Sequence, residues 1–215
     1  ATSGGHLSVC EYEPIMRAAE GKQALVLGPG LGIAPDTVEL VLKLYRHCEL
    51  PMVVDADALN ILAANRPIIK DPPAPRILTP HPGEMSRLIE KAASAIQAER
   101  LSVARAFAGE NGVVLVLKGA DTVIAAPDGR VAVNPTGNPG MASGGMGDVL
   151  TGIIGGFLAQ RLSPWDSACL GVYAHGAAGD RLAARTGAPI GMLAADLALE
   201  LPAALADLGE KDEAR

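Results

Sequence analysis

Residues 134–148 read Asn-Pro-Thr-Gly-Asn-Pro-Gly-Met-Ala-Ser-Gly-Gly-Met-Gly-Asp and run into an apolar stretch with helical spacing. Repeated glycines let backbone N–H groups converge on an anion with no Cβ in the way. The helix that follows would point its positive end at the same place. Asp148 falls in its first turn. A carboxylate there can take the proton of a hydroxyl as that oxygen attacks phosphorus. The plainer alternative is a flexible loop with Asp148 as an ordinary helix cap.

Three other segments carry candidate chemistry. Lys118-Gly119-Ala120-Asp121-Thr122 follows the clearest apolar run, so Lys118 could meet a phosphate or be a solvated turn residue. Thr79-Pro80-His81-Pro82-Gly83-Glu84 holds a His between two prolines that restrict the backbone. It reads as a substrate contact at His81 or as a simple helix entry. Asp55-Ala56-Asp57 puts two acids just after another apolar run. They could hold Mg²⁺ through water, or Asp57 could cap a helix. Gly28-Pro29-Gly30-Leu31-Gly32 permits close backbone approach but is a weak signal alone. His47 reads as surface and His175 as helix packing.

The elements that must position these residues alternate in type. Short apolar runs at 24–27, 52–54, 77–78 and 113–117 read as strands. Helical spacing follows at 36–44, 58–64, 84–90 and 95–110. Fully apolar strands alternating with helices predict an α/β fold with a mainly parallel sheet covered on both faces. Runs 123–126 and 131–134 around Asp128-Gly129 predict a hairpin. Long helical patterns occupy the rest, ending in a charged, frayed tail from Gly209. The loops named above all follow strand ends, where open α/β sheets bind ligands. Residues 1–16 show no strand–helix unit, and one domain covers 1–215.

Composition narrows the partners. The chain has 215 residues, 49% apolar and only 3% aromatic, so Ala, Val, Leu and Ile must fill the core. A net charge of −6 argues against nucleic acid or an anionic membrane surface. Three scattered cysteines, Cys10, Cys48 and Cys169, read as reduced thiols in the cytoplasm. No apolar run is long enough for a membrane span.

Taken together, the segments Gly28–Gly32, Val53 to Asn60, Leu78 to Glu84, Val116 to Thr122 and Asn138 to Gly152 resemble the ADP/ATP-dependent NAD(P)H-hydrate dehydratase family, within the ribokinase-like superfamily. The resemblance implies a ribokinase-like fold. It implies a repair reaction in which the C6 hydroxyl of NADH hydrate or NADPH hydrate (the S-epimer) is phosphorylated by ADP or ATP and leaves as phosphate. Asp148 would be the catalytic base. Gly32, His81 and Asp148 would contact the hydrate. Gly144, Gly145, Met146 and Gly147 would form the anion hole. Lys118, Gly119, Ala120, Asp121, Thr122 and Asn138 would lie at the nucleotide, with Mg²⁺ screening the phosphates. ADP is favoured over ATP by the bacterial look of the sequence. A homo-oligomer, with a tetramer as one option, is also implied. Family members usually open with a further strand, Gly-containing turn and helix, so the resemblance implies a missing N-terminal unit. Two other readings stay open: a superfamily kinase of a vitamin-precursor alcohol, and a non-catalytic nucleotide-binding module.

Overall fold

A computed structural model describes residues 5–213, with side chains accounted for through Gly209. Six strands form one sheet in the order β1 (Leu25–Leu27), β2 (Met52–Val54), β3 (Arg76–Leu78), β4 (Val114–Leu117), β5 (Val123–Ala125) and β6 (Val131–Val133). The first four strands run parallel, and β5 and β6 are antiparallel, joined by the Asp128-Gly129 turn. The expected mixed, mainly parallel sheet is the observed one.

This strand order dictates the layers. Each parallel strand lies directly beside its predecessor, and right-handed crossovers then deliver every connecting helix to the same face. Those helices are α2 (Pro35–His47), α3 (Ala56–Ala64), α4 (Pro82–Ile89), α5 (Ala93–Ala98) and α6 (Arg100–Asn111), preceded by α1 (Tyr12–Ala19). The other face would stay bare without the C-terminal helices α7 (Met146–Ala159) and α8 (Pro164–Thr186), with α9 (Ala194–Glu213) packed on α8.

Strand alternation sorts the core accordingly. Met52, Val54, Leu78, Leu115 and Leu117 face Leu40, Leu44, Leu59, Met85 and Phe107. Val53, Ile77, Val114, Val116 and Ile124 face Leu150, Ile154, Leu158 and Val172 from α7 and α8. Strands β2 to β4 are buried on both sides, so their sequences are mostly apolar and not alternating.

Three elements differ from the sequence reading. Stretch 95–110 is two helices, because Glu99 leaves helical geometry (φ −130°, ψ 36°). The break directs Arg100 to the end of β4, where its guanidinium donates to the Leu117 carbonyl at 2.7 Å. A helix also occupies Tyr12–Ala19, where no unit is expected. Its Pro14 sits in the first turn, where the missing N–H costs nothing. The α9 backbone remains helical past Gly209 to Glu213. Residues 1–4, part of the stretch expected to lack a strand–helix unit, lie outside the described residues. No helix among the described residues is long and apolar enough to cross a membrane.

Candidate functional site

All four parallel strands deliver their loops to one edge of the sheet, and a buried charged cluster forms there. Asp55, at the end of β2, is 1% exposed. Its Oδ1 accepts from Lys118 Nζ at 2.6 Å, across 63 residues of sequence. Its Oδ2 accepts from the Thr151 hydroxyl at 2.8 Å, on the second turn of α7. Lys118 Nζ also lies 3.8 Å from Glu84 Oε2. Two carboxylates thus share one ammonium under the ends of β2, β3 and β4, which is how a buried charge is made tolerable. Ala56, next in the chain, is held at φ +50°, an unfavourable conformation for a residue with a Cβ.

The glycine loop after β1 packs directly on this cluster. A Cβ on Gly28, at φ +141°, would lie 1.8 Å from the Asp55 carbonyl oxygen, so only glycine fits. The Gly32 N–H donates to Asp57 Oδ2 at 2.8 Å. Asp57 therefore holds this loop, and Asp55 occupies the N-cap position of α3 without capping it by its side chain.

His81 and Glu84 form a capping box at α4. His81 Nδ1 accepts from the Gly83 N–H at 2.9 Å, and the His81 backbone N–H donates to Glu84 Oε2 at 2.7 Å. An accepting Nδ1 leaves Nε2 as the protonated nitrogen, on a side chain that is 52% exposed. Nε2 lies 3.6 Å from Glu84 Oε1, so the helix-entry role and an N–H on a half-exposed ring coexist in one residue. Lys118 is tied to the same corner, since its backbone N–H donates to the Pro80 carbonyl at 2.9 Å.

The glycine-rich segment ends in α7, whose N-cap is Gly145 and whose start has no side-chain cap. Val149 is the first residue to donate back, to the Gly145 carbonyl. The Met146, Gly147 and Asp148 N–H groups therefore lack intrahelical partners and can converge on an anion. Gly147 packs closely on the cluster: a Cβ there would lie 3.3 Å from Lys118 Nζ, a tight contact, and 3.5 Å from Asp55 Oδ2. Asp148 is the third helical residue, not the cap. It is exposed and makes no hydrogen bond or ion pair with any described residue, so its carboxylate is free to act on a ligand.

The remaining expected residues separate into two groups. Gly119, Ala120 and Asp121 form an exposed turn beyond Lys118, and Thr122 closes it through a bond to the Gly119 carbonyl at 2.8 Å. Asn138 caps the turn Pro139–Met141, its Oδ1 accepting from the Gly140 N–H at 3.1 Å. Thr151, Arg100 and Asp180 escape sequence reading, because each acts through a partner distant in the chain. His175 on α8 is also nearer the site than expected. Burial pushes its ring down to about 4, against a hydrogen bond with the Met146 backbone that favours the charged ring, with the Lys118 charge pushing it lower. Its Nε2 is buried without a partner.

A mixed, mainly parallel sheet, helices on both faces, and an uncapped glycine-entered helix beside a buried acid define the ribokinase-like class. The chain belongs to the NAD(P)H-hydrate dehydratase family, whose model matches residues 6–203. It is 50% identical over 212 residues to the bifunctional NAD(P)H-hydrate repair enzyme Nnr of Moorella thermoacetica, a match covering 99% of this chain and 40% of that protein. It is 41% identical over 178 residues to the ADP-dependent (S)-NAD(P)H-hydrate dehydratase of Neisseria meningitidis serogroup B, covering 81% and 60%. Among solved structures, the ADP/ATP-dependent NAD(P)H-hydrate dehydratase of Bacillus subtilis, co-crystallised with ATP and Mg²⁺, superposes with a TM-score of 0.76 at 33% identity. That match covers 89% of this chain and 70% of the other. The chain therefore spans about two-fifths of the length of its bifunctional relative.

Proposed function

We propose that this chain carries out ADP- or ATP-dependent dehydration of (S)-NAD(P)H hydrate, returning it to NADH or NADPH. The observation that carries the reading is the pairing of an uncapped α7 N-terminus with the unengaged Asp148 carboxylate in the same first turn. One supplies donors for a phosphoryl group in transfer, and the other an acceptor for the attacking hydroxyl's proton.

The chemistry follows from the leaving group. Hydroxide departs poorly from C6 of the hydrated ring. Asp148 takes the hydroxyl proton while the oxygen attacks the terminal phosphorus of the nucleotide. The N–H groups of Gly144, Gly145, Met146 and Gly147 hold the phosphoryl oxygens. The C6–O bond then breaks as the ring nitrogen's lone pair pushes out phosphate. Loss of a C5 proton completes the dihydronicotinamide. With ADP the balance is hydrate plus ADP giving NAD(P)H, AMP and phosphate. Gly32 and the His81 ring N–H would orient the hydrate. Lys118, the turn from Gly119 to Thr122, and Asn138 would border the nucleotide.

The residues present fit Mg²⁺ delivered with the nucleotide. No group of three or more His, Cys, Asp or Glu suited to a metal ion exists among the described residues, and Asp55 and Glu84 already share Lys118. Mg²⁺ held mainly by phosphate oxygens and water needs no protein cage. When bound it neutralises charge on the transferring phosphoryl group. The reduced thiols suit a cytoplasmic setting, and self-association remains part of the reading.

The test is direct. The chain, and any longer natural form of it, is incubated with NADH hydrate or NADPH hydrate, Mg²⁺ and either ADP or ATP while dihydronicotinamide absorbance is followed. Recovery of absorbance with stoichiometric phosphate release is expected. Failure with both nucleotides and both hydrates would overturn the assignment.

A further inference from the structure

The glycine-rich segment has internal hydrogen bonds between Asn134 and Thr136 and across Asn138–Ala142, and its position relative to the helices must be fixed from outside. Helix α8 fixes it along one face. The Thr136 hydroxyl donates to the Tyr173 carbonyl at 3.0 Å. Met141 lies over Gly179, where an added Cβ would approach its sulfur to 2.4 Å. Between these contacts, Asp180 accepts two hydrogen bonds from the loop. Its Oδ2 takes the Gly137 N–H at 2.8 Å, and its Oδ1 takes Asn138 Nδ2 at 3.0 Å.

The Asp180 bond also decides which way the Asn138 amide points. A carboxylate accepts only, so Asn138 must offer it the NH₂. The amide oxygen is then left facing the Gly140 N–H, where it caps the Pro139–Met141 turn. Past that turn the chain meets the α8–α9 connection, where the Ser143 hydroxyl donates to the Met192 carbonyl at 3.1 Å. The first turn of α7 then begins at Met146. Asp180 thus fixes the entry point of the loop and, through Asn138, its course toward the α7 amides.

We propose that Asp180 is a positioning residue for phosphate binding, acting through Asn138 to preset the loop 137–147. This rests on reading that loop as the phosphate site. Asp180 touches no reacting atom. Its effect should fall on nucleotide affinity, because a loop that must be ordered on binding weakens the complex.

The test uses a swap. In Asp180→Asn one donor from the new amide opposes a donor from the loop, and in Asn138→Asp two carboxylates face each other. Either single change is expected to weaken ADP and ATP binding, measured by direct titration, about tenfold, the size of losing one charge-assisted hydrogen bond. The double change Asp180→Asn with Asn138→Asp restores every donor–acceptor pair. The amide now on α8 donates to the carboxylate now on the loop, and its oxygen accepts from the Gly137 N–H. The double variant is expected to bind nucleotide about threefold or more tightly than Asn138→Asp alone, the residual loss against the original chain reporting the carboxylate set beside the phosphates. Amide hydrogen exchange across 137–147 is read on the same four proteins, with faster exchange in the singles and recovery in the swap. A swap no better than the singles in exchange overturns the clamp. Recovery of exchange without any change in nucleotide affinity among the four proteins overturns its link to phosphate binding. Absence of hydrate turnover in the original chain, with nucleotide binding intact, counts against the dehydratase reading and leaves the clamp standing or falling on these two measurements.

Discussion

Lys118 Nζ stands 2.6 Å from Asp55 Oδ1, joining the end of β4 to the end of β2 beneath the first turn of α7. Lys118 is 18% exposed at the side chain and Asp55 only 1%, so solvent screens the pair weakly. The sheet, the glycine loop and the α7 start all meet at this bond. It places a fixed positive charge close to Gly147 while keeping the acid beneath it satisfied.

Breaking one side of this pair should cost more than removing both. Lys118→Met leaves Asp55 with Thr151 as its remaining side-chain donor, at a cost of about 3–5 kcal/mol. Lys118→Met combined with Asp55→Asn removes one of the two buried carboxylate charges that Lys118 serves, leaving Glu84, and should be less destabilised than the single Lys118 variant. A double-mutant cycle from urea unfolding measures the coupling. Additive single effects would show that the pair does not act as a unit.

Asp148→Asn should separate chemistry from binding. The amide keeps the shape of the first turn but cannot take a proton. Turnover should fall by roughly 10²–10⁴-fold, with nucleotide affinity nearly unchanged. Single-turnover kinetics alongside nucleotide titration read the two effects independently. Normal turnover would remove Asp148 from the proton-transfer step.

Gly28→Ala tests the steric argument at the β1 loop. The new methyl would sit 1.8 Å from the Asp55 carbonyl oxygen, at φ +141° where a Cβ is already disfavoured. Backbone must move, and the loss should exceed about 4 kcal/mol. Expression, thermal unfolding and circular dichroism report it. A variant as stable as the original chain would mean that Gly28 and Asp55 are not this close.

Stability should fall in mild acid because of His175. Its folded-state value is pushed down to about 4, whereas an imidazole in the unfolded chain titrates near 6.5. Between those values the unfolded chain binds a proton that the folded chain refuses, so stability drops as pH falls through the window. The contribution between pH 7 and pH 5 is on the order of 2 kcal/mol. His175→Gln should remove it, giving a shallower decline in unfolding free energy over the same range. Parallel profiles for the two proteins would assign the acid sensitivity to other groups.

Much of the fold was legible because each strand carries its own punctuation. Apolar runs end in Gly-Pro-Gly, Asp-Ala-Asp, Thr-Pro-His or Lys-Gly, and a doubly covered strand must be mostly apolar. The break at Glu99 was not legible, since helical spacing continues through it. The break coincides with Arg100 reaching the Leu117 carbonyl, a partner seventeen residues away. Helix Tyr12–Ala19 is short and carries Pro14, so its local signal is weak.

The linear sequence by itself determined the types of loop, their order and the strand ends they follow, because these depend on local backbone preference and on burial period. It also determined that Asp148 falls in a glycine-entered helical turn. Tertiary structure alone decided that Lys118 serves Asp55 and Glu84 within the protein, that Thr151 completes the Asp55 shell, and that Asp180 orients Asn138. These pairings depend on strand register and on which face α7 and α8 cover. Residues 34 to 96 positions apart meet only when the sheet has closed and the C-terminal helices have docked on it.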